Sequence, residues 1–265
     1  MCLASPRVKC RIMRLAPSQV CLDQLETYAA LLPVMCAAFR ILEGRVPAPV
    51  PTTVYGRIYP RYRERTAHQA AVQKLARYLS GLKALLLLVS NRLLQEDAVI
   101  KRTLDEVGED LLFLVFPATT TEEEALKSKY LEAFYQEEYA TDAPPSMDTM
   151  QSRYLPKRRK IREYLNRRQG TVPQGEKASA SVYQGYSGYV HSASPHLMEM
   201  VSFSGFTFDL GGIGDLDLFE SHVADVVNYF VRGSLAVAAL AGVLGDAEMY
   251  RKFKEIGDQL AERWP

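Results

Sequence analysis

From Ser18 to about Glu43 the apolar positions recur at three- and four-residue steps, the spacing of an amphipathic helix. Ser18 is placed to cap its first turn and Pro33 to kink it. The run "GRVPAPVPTTVYGRIYP" then carries four prolines between Val46 and Pro60 and reads as an extended connection. Helical spacing resumes from Tyr62 to Leu94, charged early and apolar later, and again near 98–116, where Pro117 ends it. Thr121 and Glu124 have capping-box spacing, and the acidic turn around them suits a helix N-terminus. After the loop "ATDAPPSMD" comes "SRYLPKRRKIREYLNRR", a basic stretch read as a shorter helix interrupted by Pro156. Residues 199–213 change character: Phe203, Phe206 and Phe208 alternate in part with Ser, Thr and Gly, which predicts a small hairpin or an ordered loop. Two helices, about 215–244 and 246–262, complete the pattern, and no solenoid period repeats. The sum is an all-α fold, a multi-helix bundle of seven or eight helices with at most one small β-hairpin. Residues 1–16 read as a disordered lead-in and 17–265 as a single helical domain.

Composition narrows the function classes. Nearly half of the 265 residues are hydrophobic, enough for a sizeable core, and 32 basic side chains offset 31 acidic ones. A near-neutral chain has no global field for nucleic acid or anionic membrane, so any such binding would be local. Cys2, Cys10, Cys21 and Cys36 fit no zinc or redox spacing and imply no disulfide framework, so the expected compartment is a reducing cytoplasm. The basic N-terminus is not followed by an apolar stretch with a cleavage site, and no signal peptide is expected. The most membrane-like run, "VVNYFVRGSLAVAALAGVL", holds Asn228 and Arg232 and reads as a central core helix rather than a membrane span. Its small residues suit either packing within the chain or a homodimer seam.

Polar residues at helical steps supply the candidate chemistry. "VYQGYSGYVHSAS" sets Tyr183, Ser187 and His191 on one helix face; Arg102 and Glu106 share a face of the third helix, with Glu109 and Asp110 a turn on. His222, Asp225, Tyr229 and Arg232 form a polar stripe on the late helix. If these stripes face the bundle interior they must satisfy one another, because an unpaired buried polar group is costly.

The "RTLDE" of residues 102–106, followed by "DLLFLVF", together with the Tyr183, Ser187, His191 spacing, resembles an uncharacterised family of bacterial all-helical domains of unknown function. One helix of that family carries Arg-x-x-x-Glu and a later one Tyr-x-x-x-Ser-x-x-x-His. The resemblance covers roughly residues 60–260 and implies a cytoplasmic bundle in which Arg102, Glu106, Tyr183, Ser187 and His191 converge in one polar pocket; it supplies no activity. The family is distantly similar to the HEPN helical domains, many of them metal-independent ribonucleases of defence systems. "RERTAH", Arg63 to His68, has their Arg-to-His spacing, though Glu64 follows the Arg and the run opens an early helix.

Two functions follow as expectations. In an RNA-binding or RNA-cleaving defence protein, His191 would move a proton, Arg102 would hold a phosphate and Glu106 would orient either group. In a non-catalytic interaction or scaffold module, the same residues would be buried and bonded to each other. The RNA surface would be the basic stretch: Arg153, Lys157, Arg158, Arg159, Lys160 and Arg162, interleaved with Tyr154 and Tyr164. The same stretch would equally balance, or dock on, the acidic residues of 122–138. No cofactor or metal is expected: the step from His191 to His196 contains Pro195 and is not a helical ligand pair, and "GGIGDLD" reads as a turn and cap.

Overall fold

The computed structural model describes residues 16–140, 144–170, 185–202 and 204–264. The expected lead-in thus lies outside the described residues, apart from Ala16 at its end. Helix α1 (Gln19–Glu43) starts where the Ser18 hydroxyl accepts from Cys21 N at 3.3 Å. Pro33 sits on its exposed side, where the missing N–H faces no core partner.

The proline-rich connection is not merely extended. β1 (Val50–Val54) and β2 (Arg57–Arg61) pair antiparallel across the two-residue turn Tyr55-Gly56, both at positive φ. Pro51 faces Pro60 in this ladder. Proline is tolerated here because both strands of a two-stranded sheet are edges, with N–H groups free to face outwards. Of the two readings for 199–213, a small hairpin or an ordered loop, the described residues match the loop, with one isolated bridge from Val201 to Phe208; Phe203 lies outside them.

The remaining long helices are α2 (Ala67–Ser90), α3 (Leu94–Val115), α4 (Thr121–Tyr135), α5 (Arg158–Gln169), α6 (Leu216–Val243) and α7 (Ala247–Arg263). Thr66 and Gln69 close a capping box on α2. The α4 cap falls one residue before the expected one: Thr120 accepts from Glu123 N at 3.2 Å, and the Glu123 carboxylate accepts from Thr119 N at 3.0 Å. Pro156 precedes α5 rather than interrupting it.

Helix α6 is the axis of the bundle. Ser18 N donates to Glu220 at 2.6 Å near one end of α1 and Arg45 pairs with Asp246 at 2.6 Å past the other, so α1 runs parallel to α6. Ile213 N donates to Arg92 O at 2.9 Å, bringing the end of α2 to the start of α6, antiparallel. Gly233 permits this crossing: a Cβ there would lie 2.7 Å from Met35 Cε and 3.1 Å from the Tyr78 ring. Tyr28 stacks on Phe230 at 4.9 Å, while Tyr78 OH donates to Tyr229 O at 3.0 Å. Ala236, Ala238 and Ala241 are buried, so the small residues of the late helix serve packing within the chain.

Helices α1 and α6 are both long and apolar enough to cross a membrane. They differ in burial: 61% of the most apolar window of α6 is buried within the fold, against 28% for α1. The first is the signature of a core helix; the second leaves an apolar face uncovered.

Lys127 fastens α4 to the end of α3, donating to Leu114 O and Phe116 O beneath the rings of Phe113 and Tyr164. Burial, aided by the Arg168 charge, lowers its pKa from 10.5 to about 8. Between those values the unfolded chain holds more protons than the folded one, so this group's contribution to stability rises with pH across that window. Comparing urea unfolding of wild type and Lys127→Met at pH 7 and pH 10 should show wild type gaining about 1–2 kcal/mol on the variant at the higher pH. An unchanged difference would refute the lowered pKa.

Candidate functional site

The seam between α3 and α6 carries a ladder of charges. On α3, Asp97, Lys101 and Asp105 follow at four-residue steps, so all three face α6. They meet the stripe His222, Asp225, Tyr229, Arg232. His222 Nδ1 lies 2.9 Å from Asp97 Oδ1, Lys101 Nζ lies 3.1 Å from Asp225 Oδ2, and Arg232 donates to Asp105.

Lys101 is 1% exposed and has three N–H donors. His222 O at 3.1 Å, Asp225 at 3.1 Å and Asp97 Oδ1 at 3.5 Å accommodate them all. Tyr186 reaches down from a helical turn at 185–190 and donates to Asp225, whose other oxygen accepts from Asn228 at 3.1 Å. Burial pushes the Asp225 carboxyl up, but the Lys101 ammonium and the bonds from Tyr186 and Asn228 outweigh it and hold the group below its ordinary range. Burial and then Asp225 push the Tyr186 phenol well above its ordinary value, so it remains a donor. At Asp105 the balance is opposite, burial raising the carboxyl despite Arg232.

Residues 185–202 and 204–213 form a strap whose first part lies over this seam. Tyr189 OH donates to Glu199 at 2.8 Å, and Gln95 of α3 donates to His196 O at 2.8 Å. The Tyr189 ring packs on His196 at 4.1 Å between centroids and lies edge-on to His222 at 6.1 Å.

The imidazole of the buried seam is therefore His222, and the tyrosines beside it are Tyr186 and Tyr189. The five residues expected to converge fare differently. Tyr183 lies outside the described residues, Ser187 is half-buried and His191 is exposed. His191 N still donates to Ser187 O at 3.1 Å, closing the last turn, and Ser192 then turns into the left-handed region at φ 52, so His191 stands at the exposed end of this helix. Arg102 and Glu106 do pair, at 2.7 Å, one position round α3 from the seam. Among the described residues no group of three or more His, Cys, Asp or Glu side chains is arranged to hold a metal.

No family model, curated protein or solved structure matches this chain. Its chemistry must be read from its own geometry.

Part of the basic stretch docks on the rest of the fold. Arg158 reaches Asp110 at 2.5 Å, Arg162 reaches Glu109 at 2.8 Å and Arg168 reaches Glu123 at 2.9 Å. Helix α5 thus docks on the acidic face of α3, and Glu123 of the 122–138 run pairs with it as well. Arg153, Lys157, Arg159 and Lys160 are exposed, as is Tyr154 at 72%. "RERTAH" occupies the approach to α2, with Arg63 and His68 exposed on either side of the Thr66 cap.

The seam is half visible in the sequence: spacing alone reveals the α6 stripe, whereas Asp97, Lys101 and Asp105 escape notice although their four-residue steps are as regular as those of Arg102 and Glu106.

Proposed function

We propose that this protein is a non-catalytic helical interaction module that pairs with a second copy of itself through the outer face of α1. The observation that carries this reading is the uncovered apolar window of α1. Between Glu26 and Arg40 the helix holds no charged residue, yet Ala29, Ala30, Pro33, Val34, Cys36 and Ala37 are exposed, and Ile41 continues the face at 53%. An uncharged face can meet its own copy across a two-fold axis without like-charge repulsion, and its small residues allow close approach of backbones. The acid–base groups of the α3–α6 seam support the same reading, because they are committed to one another. A nucleic-acid role rests on a separate observation, the exposed cluster of Arg153, Tyr154, Lys157, Arg159 and Lys160.

Sedimentation equilibrium tests the pairing: wild type should dimerise with rising concentration, and Ala30→Glu/Val34→Glu should stay monomeric with an unchanged circular dichroism spectrum. A wild type that stays monomeric, or that floats with lipid vesicles, would replace the self-pairing reading. In the same preparation RNA should stay intact in chelator. Cleavage lost in a folded Arg102→Ala variant would restore the nuclease reading.

A further inference from the structure

A cleft separate from the α1 face opens between α1, α6 and the end of α7. It holds about 410 Å³, within the range of small-molecule sites, and is lined by Gln24, Asp225, Val227, Asn228, Arg263 and Trp264. Two polar side chains on this part of α1 make no hydrogen bond to a described residue, one of them at the cleft. Gln24 is only 5% exposed, and no hydrogen bond to a described residue satisfies its side-chain amide. One turn on, Tyr28 is fully buried and its hydroxyl has no partner; its ring lies edge-on to Trp264 at 6.0 Å. The Tyr28 hydroxyl is not among the groups that line the cleft, whereas the Gln24 amide lines it and is open to a ligand.

The charges of the cleft define that ligand. Asp225 is one-third exposed and held ionised by Lys101, with acceptor capacity left on the oxygen that Asn228 engages. Arg263 stands exposed at the rim, its guanidinium 4.4 Å over the Trp264 ring, with donors free for a carboxylate. One anionic and one cationic group in one small cleft match a molecule carrying an ammonium and a carboxylate. The Gln24 amide can serve either end, while Val227 and Trp264 offer apolar surface to the remainder.

We infer that the cleft lined by Gln24, Asp225, Arg263 and Trp264 binds a small zwitterion of the amino-acid class. The ammonium lies against Asp225 and the Asn228 carbonyl, and the carboxylate against Arg263 and the Gln24 amide.

Trp264 is the only tryptophan of the chain, so its emission reports on the cleft directly. The full chain is titrated with leucine, a short zwitterion, and with γ-aminobutyrate, a longer one. Acetate and methylammonium serve as the separate halves. The inference requires a saturable emission change with at least one zwitterion, at concentrations at least about tenfold below those at which either half acts. By calorimetry, Arg263→Gln and Gln24→Leu should each weaken that binding about tenfold or more while melting near wild type. Halves that act as well as the zwitterions, no response to either zwitterion, or unchanged binding in both variants would overturn it. Val34→Glu alone, at a residue that lines neither this cleft nor the pocket beside it, should bind as wild type does, so this result stands or falls apart from the pairing through α1.

Discussion

Lys101→Ala is expected to destabilise the fold by about 3–5 kcal/mol, the scale of breaking a buried ion pair from one side. The ammonium lies between Asp97 and Asp225, and Asp97 is fully buried. Removing it leaves two carboxylates without their cation, and His222 then carries Asp97 alone. The loss comes from stranded charge rather than from lost attraction, and a second variant separates the two. Asp97→Asn/Lys101→Met/Asp225→Asn removes the charges together and should recover at least half of the loss, since replacing a buried pair entirely is often near neutral. Urea unfolding of the wild type and both variants measures this. A Lys101→Ala protein within about 1 kcal/mol of wild type would show that the seam is solvated and not a buried network.

Gly212→Ala should cost about 2–4 kcal/mol, through strain and overpacking combined. Gly212 has φ 123, a conformation that side chains rarely adopt, and a Cβ would stand 2.6 Å from Asn91 O, a backbone atom that cannot swing away. This contact sits where the strap rejoins the bundle, beside the bond from Ile213 N to Arg92 O and the buried Ile213 side chain. The variant should therefore loosen the strap before the bundle, seen as faster limited proteolysis within 192–210. Gly211→Ala is the control: nothing lies within 4 Å of its Cβ, and it should unfold within about 0.5 kcal/mol of wild type. Equal behaviour of the two variants would argue against the close approach at Gly212.

The long helices are legible because core burial imposes a 3.6-residue period on any sequence that must cover one face. Ser18, the start of α6 and the stop at Pro117 follow from local chemistry that needs no partner. The hairpin at 50–61 escapes the sequence for the opposite reason. Prolines in 47–60 suggest only extension, and pairing of Pro51 with Pro60 becomes acceptable once the sheet stops at two strands. Between Ser187 and His191 the helical step holds, but the helix ends there at the surface, and spacing alone does not say which end of a face is buried.

Periodicity alone dictates the all-α bundle and the polar stripe His222, Asp225, Tyr229, Arg232, since both depend only on spacing along single helices. Which α3 residues meet that stripe depends on the rotation of two helices distant in sequence, and a step of one residue turns the face by about 100°. That choice of Asp97, Lys101 and Asp105 over Arg102 and Glu106 belongs to the tertiary structure. So does the split of the basic stretch into docked and exposed parts, the uncovered face of α1, and the cleft where Gln24, Asp225 and Trp264 meet. Each arises from packing between segments far apart in the chain, where no local pattern records which neighbour will arrive.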